Sequence, residues 1–150
     1  MELRYDMLVM GVYIVAAQHQ GKRGGLALAW ATQVAKDRFL ICVGSQSATR
    51  DLILASQAFG LSVLGQDQIA LARAFGERSS RDVDKFAVVP FHTAVTGSPL
   101  LDNCVAAYDC RLEDVLDHDS HKLIIGCVVA AERIGDDAQR LIYRQEDYGH

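Results

Sequence analysis

Residues 8–34, LVMGVYIVAAQHQGKRGGLALAWATQV, set two apolar runs on either side of one polar, glycine-rich stretch. Val9, Val12, Ile14 and Val15 are strand-formers within the first run, so residues 7–17 read as a strand. Residues 18–25 have the composition of a turn and read as a hairpin connection. Residues 26–34 then return as a second strand. Trp30, the only tryptophan, falls inside it, where a place in the core or an interface is the default.

Working outward, the same grammar continues. Residues 39–43 are a short, fully apolar strand, residues 45–49 a hydroxyl-rich turn, and residues 50–57 a short helix. Residues 59–64 read as a fourth strand. Ile69, Ala72 and Phe75 recur at three-residue spacing within a second helix, residues 66–75, with Gly76 as its stop. Residues 103–116 and 123–134 are longer strands on either side of the polar stretch 117–122, and residues 141–143 add a last short one. Six or seven strands with two short helices do not form alternating βαβ units. Hairpin-like spacing predicts an antiparallel barrel or sandwich. Strands as apolar as 39–43 imply burial on both faces, which a dimer interface over one barrel wall would supply.

The chain has 150 residues, half of them hydrophobic and 23% charged, which suits one globular domain over 1–150. Its formal net charge is −4 and its longest basic cluster is Lys22-Arg23, so nucleic acid is set aside. The apolar run 8–17 is too short to span a bilayer. Glu2, Arg4 and Asp6 precede it, where a secretory leader needs positive charge. No membrane association is expected. Cys42, Cys104, Cys110 and Cys127 form no C-x-x-C and read as reduced core thiols of a cytoplasmic protein. Cys104 and Cys110, six apart, are the one spacing a redox pair could use. His118 and His121 with Asp117 and Asp119 read as a solvated turn rather than a metal site, because no outlying ligand completes the set.

One segment invites a ligand. Gly44-Ser45-Gln46-Ser47-Ala48-Thr49-Arg50 joins a strand end to a helix start. Ser45, Gln46, Ser47, Thr49 and Arg50 offer hydroxyls, an amide and a guanidinium beside the open N–H groups of a helix terminus, which suits a phosphate. Plain helix capping by Ser47 or Thr49 accounts for the same residues without a ligand. The chain has no G-x-G-x-x-G, no P-loop and no G-x-S-x-G. It also shows no evident nucleophile–base pair, as expected when a cofactor carries the chemistry.

Taken in order, these pieces resemble the flavin reductase-like, FMN-binding split-barrel family over nearly the whole chain. The matching segments are Gly11-Val12-Tyr13-Ile14-Val15, then Gly21-Lys22-Arg23-Gly24-Gly25 running into Trp30-Ala31-Thr32-Gln33-Val34, then Ser45 to Ile53. Phe59 to Leu64, Leu71 to Gly76, Asp84-Lys85-Phe86, Ser98-Pro99-Leu100-Leu101, Asp119-Ser120-His121 with Gly126, and Tyr143 with Tyr148 complete the set. The resemblance implies a mostly β fold: a six-stranded antiparallel Greek-key split β-barrel with two short helices. It also implies a homodimer with FMN near the interface, reduced by NADH or NADPH and serving an oxygenase or another electron-acceptor protein.

By the same resemblance, Gly25, Leu26, Ala27, Leu28, Ala29 and Trp30 face the flavin. Ser45, Gln46, Ser47, Thr49 and Arg50 hold its phosphate, Lys85 and Phe86 complete the cofactor site, and His121 lies by the flavin and nicotinamide. The other reading of His121 is a turn residue capping the strand near Leu123. The chain departs from the family pattern in three places. Gly24, Gly25, Ala27 and Ala29 replace an Asn-Gly, Thr and Ser pattern, so backbone groups remain there but hydroxyls do not. Asp37-Arg38 replaces a Pro-Pro pair, and Gln46 replaces a basic residue. Two other functions fit the same barrel: an FMN-bound electron-transfer module reduced by a protein partner, and a flavin-free binding protein.

Overall fold

The computed structural model describes residue 4 and residues 6–44, 46–77, 84–135 and 139–148. The strands are β1 (Tyr13–His19), β2 (Lys22–Leu28), β3 (Ala31–Ala35), β4 (Arg38–Gly44), β5 (Ala58–Val63), β6 (Phe91–His92), β7 (Leu100–Leu101), β8 (Ala106–His118) and β9 (His121–Arg133). Two helices, α1 (Ala48–Ser56) and α2 (Ile69–Glu77), lie on either side of β5 in the chain. Seven strands form one antiparallel sheet in the order β2-β1-β5-β8-β9-β4-β3, and β6 and β7 form a separate ladder.

The sheet closes because its two edge strands are neighbours in sequence. Only Ala29 and Trp30 separate β2 from β3. The Ala31 N–H donates to the Ala29 carbonyl at 3.0 Å, which tightens the crossover, and the Cys42 N–H donates to the Trp30 carbonyl at 2.9 Å, which pins it to β4. The expected antiparallel barrel with two short helices is therefore the fold. Its main sheet has seven strands because the predicted strand 26–34 is cut in two at this crossover.

Strand β1 shows why the opening run is apolar throughout. Its side chains alternate between faces. Val15 and Ala17 join Ile41, Val43, Ile53, Phe59, Leu61, Cys110 and Ile124 in the barrel core. Ile14 and Ala16 join Ala72, Phe75, Phe86 and Leu100 in a second core under α2. Both faces of β1 are thus covered from within the chain.

Several boundaries differ from expectation for physical reasons. Met7, Leu8 and Val9 are exposed by 65%, 78% and 86%, and β1 begins only at Tyr13, where β2 and β5 offer partners. The first hairpin turns on Gln20 and Gly21 alone, both with positive φ, as a two-residue hairpin turn requires, so residues 22–25 belong to β2. Likewise β8 and β9 run through the polar stretch 117–122 and turn at Asp119-Ser120. Gly76 lies inside α2 instead of ending it. Residues 141–143 form no ladder strand. They cross the chain once, with Leu141 bonded to Val12 and Leu64 and Tyr143 bonded to Met10.

Candidate functional site

The register of β4 on β9 sets Gly44 directly opposite His121. This places the end of β4 and the first residue of β9 beside the β2–β3 crossover. Leu26, Ala27, Leu28, Ala29, Trp30, Cys42, Val43, Gly44, His121 and Tyr143 line one cleft of about 280 Å³. Six of these ten residues were expected at the site. Trp30 is not in the core: its indole is 54% exposed and meets the His121 ring edge-on, with centroids 5.4 Å apart. The His121 Nδ1 lies 3.2 Å from the Ser120 hydroxyl.

A larger cleft of about 860 Å³ shares Ala27, Leu28, Ala29 and Tyr143 and is walled on its far side by Ala72, Arg73 and Gly76 of α2. The Tyr143 and Tyr148 rings stack there, with centroids 5.4 Å apart. Tyr143, Cys42 and Val43 were not among the expected site residues. Tyr143 did have a signal, its pairing with Tyr148 in the family resemblance. Cys42 and Val43 had only their position before the hydroxyl-rich turn.

That turn leads from the cleft into α1. Beside Gly44 there is open space where a Cβ would stand, so backbone borders the cavity directly. Ser47 is the N-cap of α1, its hydroxyl accepting the Arg50 N–H at 3.2 Å. Capping by Ser47 is thus realised. Thr49 turns inward and is buried. The Arg50 guanidinium donates to Asp51 at 2.9 Å, while its Nε is buried with no hydrogen-bond partner among the described residues. A buried donor left unpaired is costly, and an anion over this turn would relieve it. Gln46 is exposed at the turn's crest, and Ser45 lies outside the described residues.

Gly25, Lys85 and Phe86 do not line this cleft. Lys85 donates to the Gly25 carbonyl at 3.0 Å and the Phe75 carbonyl at 2.7 Å, tying β2 to the end of α2. Burial holds its ammonium below the usual lysine range. Phe86 is buried, edge-on to Phe75 and Phe91. A Cβ on Gly25 would stand 2.8 Å from Phe75 and 2.9 Å from Phe86. The pleat turns Gly25 away from the cavity, so these three residues brace β2 from behind.

The four cysteines are free. Burial pushes the thiols of Cys104 and Cys110 up to about 11 and about 12, and raises that of Cys42 as well. Cys104 and Cys110 are core thiols, as expected, whereas Cys42 and Cys127 are only partly buried and Cys42 lines the cleft. Among the described residues no group of three or more His, Cys, Asp or Glu side chains is placed to hold a metal. None of the described helices is long and apolar enough to cross a membrane.

Comparison with known proteins places this arrangement. The family described as "Flavin reductase like domain" matches residues 5–150. The reductase component of a 4-nitrophenol 4-monooxygenase/4-nitrocatechol 2-monooxygenase from Rhodococcus opacus is 30% identical, over 93% of this chain and 74% of that one. An FMN reductase (NADH) RutF from Bradyrhizobium diazoefficiens is 29% identical, over 83% and 69%. Among solved structures, an FMN-binding protein from Thermus thermophilus with bound p-hydroxybenzaldehyde superposes with a TM-score of 0.88 at 25% identity, covering 100% of this chain and 87% of the other.

Proposed function

The chain belongs to the flavin reductase-like family, and from that premise we propose that it is an NAD(P)H-dependent flavin oxidoreductase whose FMN sits in the cleft between the β2–β3 crossover and His121. One observation carries the reading. Three segments far apart in sequence, residues 26–30, Gly44 and His121, converge on one cavity, and Gly44 begins the turn whose Arg50 Nε is buried without a hydrogen-bond partner among the described residues. Relatives named as an FMN reductase (NADH) and as a monooxygenase reductase component support the activity.

The residues present fit the cofactor. Leu26, Ala27, Leu28 and Ala29 give a close wall for a flat ring, and their carbonyls and N–H groups replace absent side-chain hydroxyls. Trp30 covers one side. Gln46 and the Arg50 guanidinium would meet a phosphate at the start of α1, where Ser47 already takes the Arg50 N–H, and Ser45 belongs to the same stretch of sequence. When bound, the flavin supplies the redox chemistry, taking up hydride from NAD(P)H. His121 positions the nicotinamide by hydrogen bonding, and its imidazole is not required as a base. Lys85 and Phe86 act one step removed, by holding β2 in place.

Two further assignments belong to this reading. A homodimer would cover Trp30 and Val34, which are 54% and 50% exposed on the crossover and β3. The reduced flavin would serve an oxygenase or another electron acceptor in the cytoplasm, with residues 1–150 acting as one flavin-binding domain. The test is direct. FMN is added to the purified protein, the visible spectrum is recorded, and steady-state oxidation of NADH and NADPH is followed. A shifted flavin band with nicotinamide oxidation supports the reductase. A bound flavin that neither nicotinamide reduces supports an electron-transfer module, and no binding removes flavin from the account.

A further inference from the structure

One wall of the proposed flavin cleft is braced by a segment that does not line it. Residues 84–92 run behind β2 and hold it at several points. The Arg23 guanidinium pairs with Asp84 at 2.6 Å and lies over the Phe91 ring, 4.9 Å from its centroid. Lys85 donates to the Gly25 carbonyl at 3.0 Å. The Phe86 ring fills the space beside Gly25 and meets Phe91 edge-on, with centroids 5.3 Å apart. Leu26, the next residue along β2, already lines the cleft. Residues 84–92 are thus a strap, and strap and cleft share one strand.

The far end of the strap is closed by one side chain. His92 follows Phe91 on β6, with its Nε2 2.7 Å from Glu132 of β9 and its Nδ1 2.5 Å from Asp102, just beyond β7. The backbone there offers only a two-residue ladder to Leu100 and Leu101 and the Asp102 N–H donating to the Pro90 carbonyl at 3.2 Å. Among the described residues, the charged groups facing the imidazole are these two carboxylates. The Cys104 thiol adjoins both and stays protonated through burial, and the cation on the strap side is Arg23, over the neighbouring Phe91. An imidazolium donates to both carboxylates at once, whereas a neutral ring donates to one. Loss of the proton therefore releases one of the two ties. We propose that His92 is a positioning residue for the flavin cleft: its protonation locks the strap onto β7 and β9, and the locked strap holds β2 where it receives FMN. The inference rests on the reading that FMN occupies this cleft. FMN binds best to the locked, protonated form, so its affinity falls as pH rises through the His92 midpoint. By reciprocity, bound FMN raises that midpoint by the same factor.

The experiment measures the Kd of FMN between about pH 6 and pH 9 for wild type and for His92→Gln, whose amide does not titrate. Taking the ratio of the two cancels the titration of the FMN phosphate itself, near about pH 6. The wild-type Kd should rise about threefold relative to the variant across this range. In parallel, the His92 ring of the wild type, assigned through its own backbone, is titrated by NMR with and without saturating FMN. Its midpoint should move up by about half a pH unit, the logarithm of the same threefold factor. This second measurement uses the native chain alone and stands even where the variant does not fold. FMN binding with parallel pH profiles, or with a His92 midpoint that FMN leaves unmoved, overturns the role of His92 and leaves the flavin site standing. Failure of wild type to bind FMN at any pH overturns the flavin site and this inference together.

Discussion

The indole of Trp30 meets the imidazole of His121 edge-on, with ring centroids 5.4 Å apart and planes inclined at 61°. One residue sits on the crossover that closes the barrel and the other begins β9, so the pair bridges the mouth of the cleft. Trp30 is the only tryptophan, and its emission reports this position alone. FMN should quench it in a saturable titration whose midpoint matches the flavin's own absorbance change. Unchanged emission with bound FMN would place the flavin elsewhere.

His121→Ala is expected to act on the nicotinamide. Its ring borders the cleft but carries no step of the hydride chemistry, so its loss removes uniform binding. Steady-state kinetics should show a raised KM for NAD(P)H with kcat and FMN affinity little changed. Normal kinetics with reduced thermal stability would instead assign His121 to the start of β9, where it pairs with Gly44 and His118.

Much of this was legible in the chain. The β1–β2 hairpin could be read because its apolar runs and glycine-rich turn are local signals. The Gly44–Arg50 turn could be read because hydroxyls cluster where a strand meets a helix. The break at Ala29-Trp30 could not, since neither residue is a turn-former and the cut is imposed by closure of the barrel. The bracing role of Lys85 was equally hidden. Its partners are two backbone carbonyls, 60 and 10 residues away, and carbonyls carry no residue-type signal. Thr49 looked like a phosphate ligand by composition, but the helix phase set by the Ser47 cap turns it inward.

Arg50→Ala should separate FMN from riboflavin. Its buried Nε is unpaired among the described residues and lies in the turn assigned to the phosphate. Loss of a charge-assisted bond there should weaken FMN by about 1–3 kcal/mol and leave riboflavin nearly unaffected. Equal losses for both ligands, measured by titration, would show the turn to be only a helix cap.

A pH-dependent clamp lies away from the cleft. His92 on β6 sits between Glu132 of β9, 2.7 Å from its Nε2, and Asp102, 2.5 Å from its Nδ1. A neutral imidazole donates from one nitrogen only, so two ionised carboxylates favour the imidazolium. The hydrogen bond to Glu132, then that to Asp102, raises the His92 pKa above its ordinary value. A raised folded-state pKa means the stabilisation is complete below about 6.5, the unfolded value, and fades as pH rises through the folded one. The difference in urea midpoint between wild type and His92→Gln should be largest near pH 5.5 to 6 and shrink by about pH 8.5. A difference independent of pH would mean that His92 acts by packing alone.

Two glycines, Gly25 behind the cleft and Gly44 lining it, should respond differently to alanine. At Gly25 the new Cβ meets Phe75 at 2.8 Å and Phe86 at 2.9 Å, closer than side-chain carbons approach in practice. Both rings are buried and packed edge-on, so neither can step aside without opening the core under α2. Overpacking of this kind costs about 1–3 kcal/mol. Any displacement of β2 also loosens the Lys85 bond to the Gly25 carbonyl. Gly25→Ala should therefore lower the melting temperature. At Gly44 a Cβ meets nothing within 4 Å, and its φ is not among the positive values. Gly44→Ala should leave stability unchanged while its methyl group enters the cleft between Trp30 and His121 and weakens FMN. The measurement is paired, a thermal melt and an FMN titration on each variant. If Gly44→Ala binds FMN as wild type does, the space beside Gly44 is not part of the flavin site, whatever happens at Gly25.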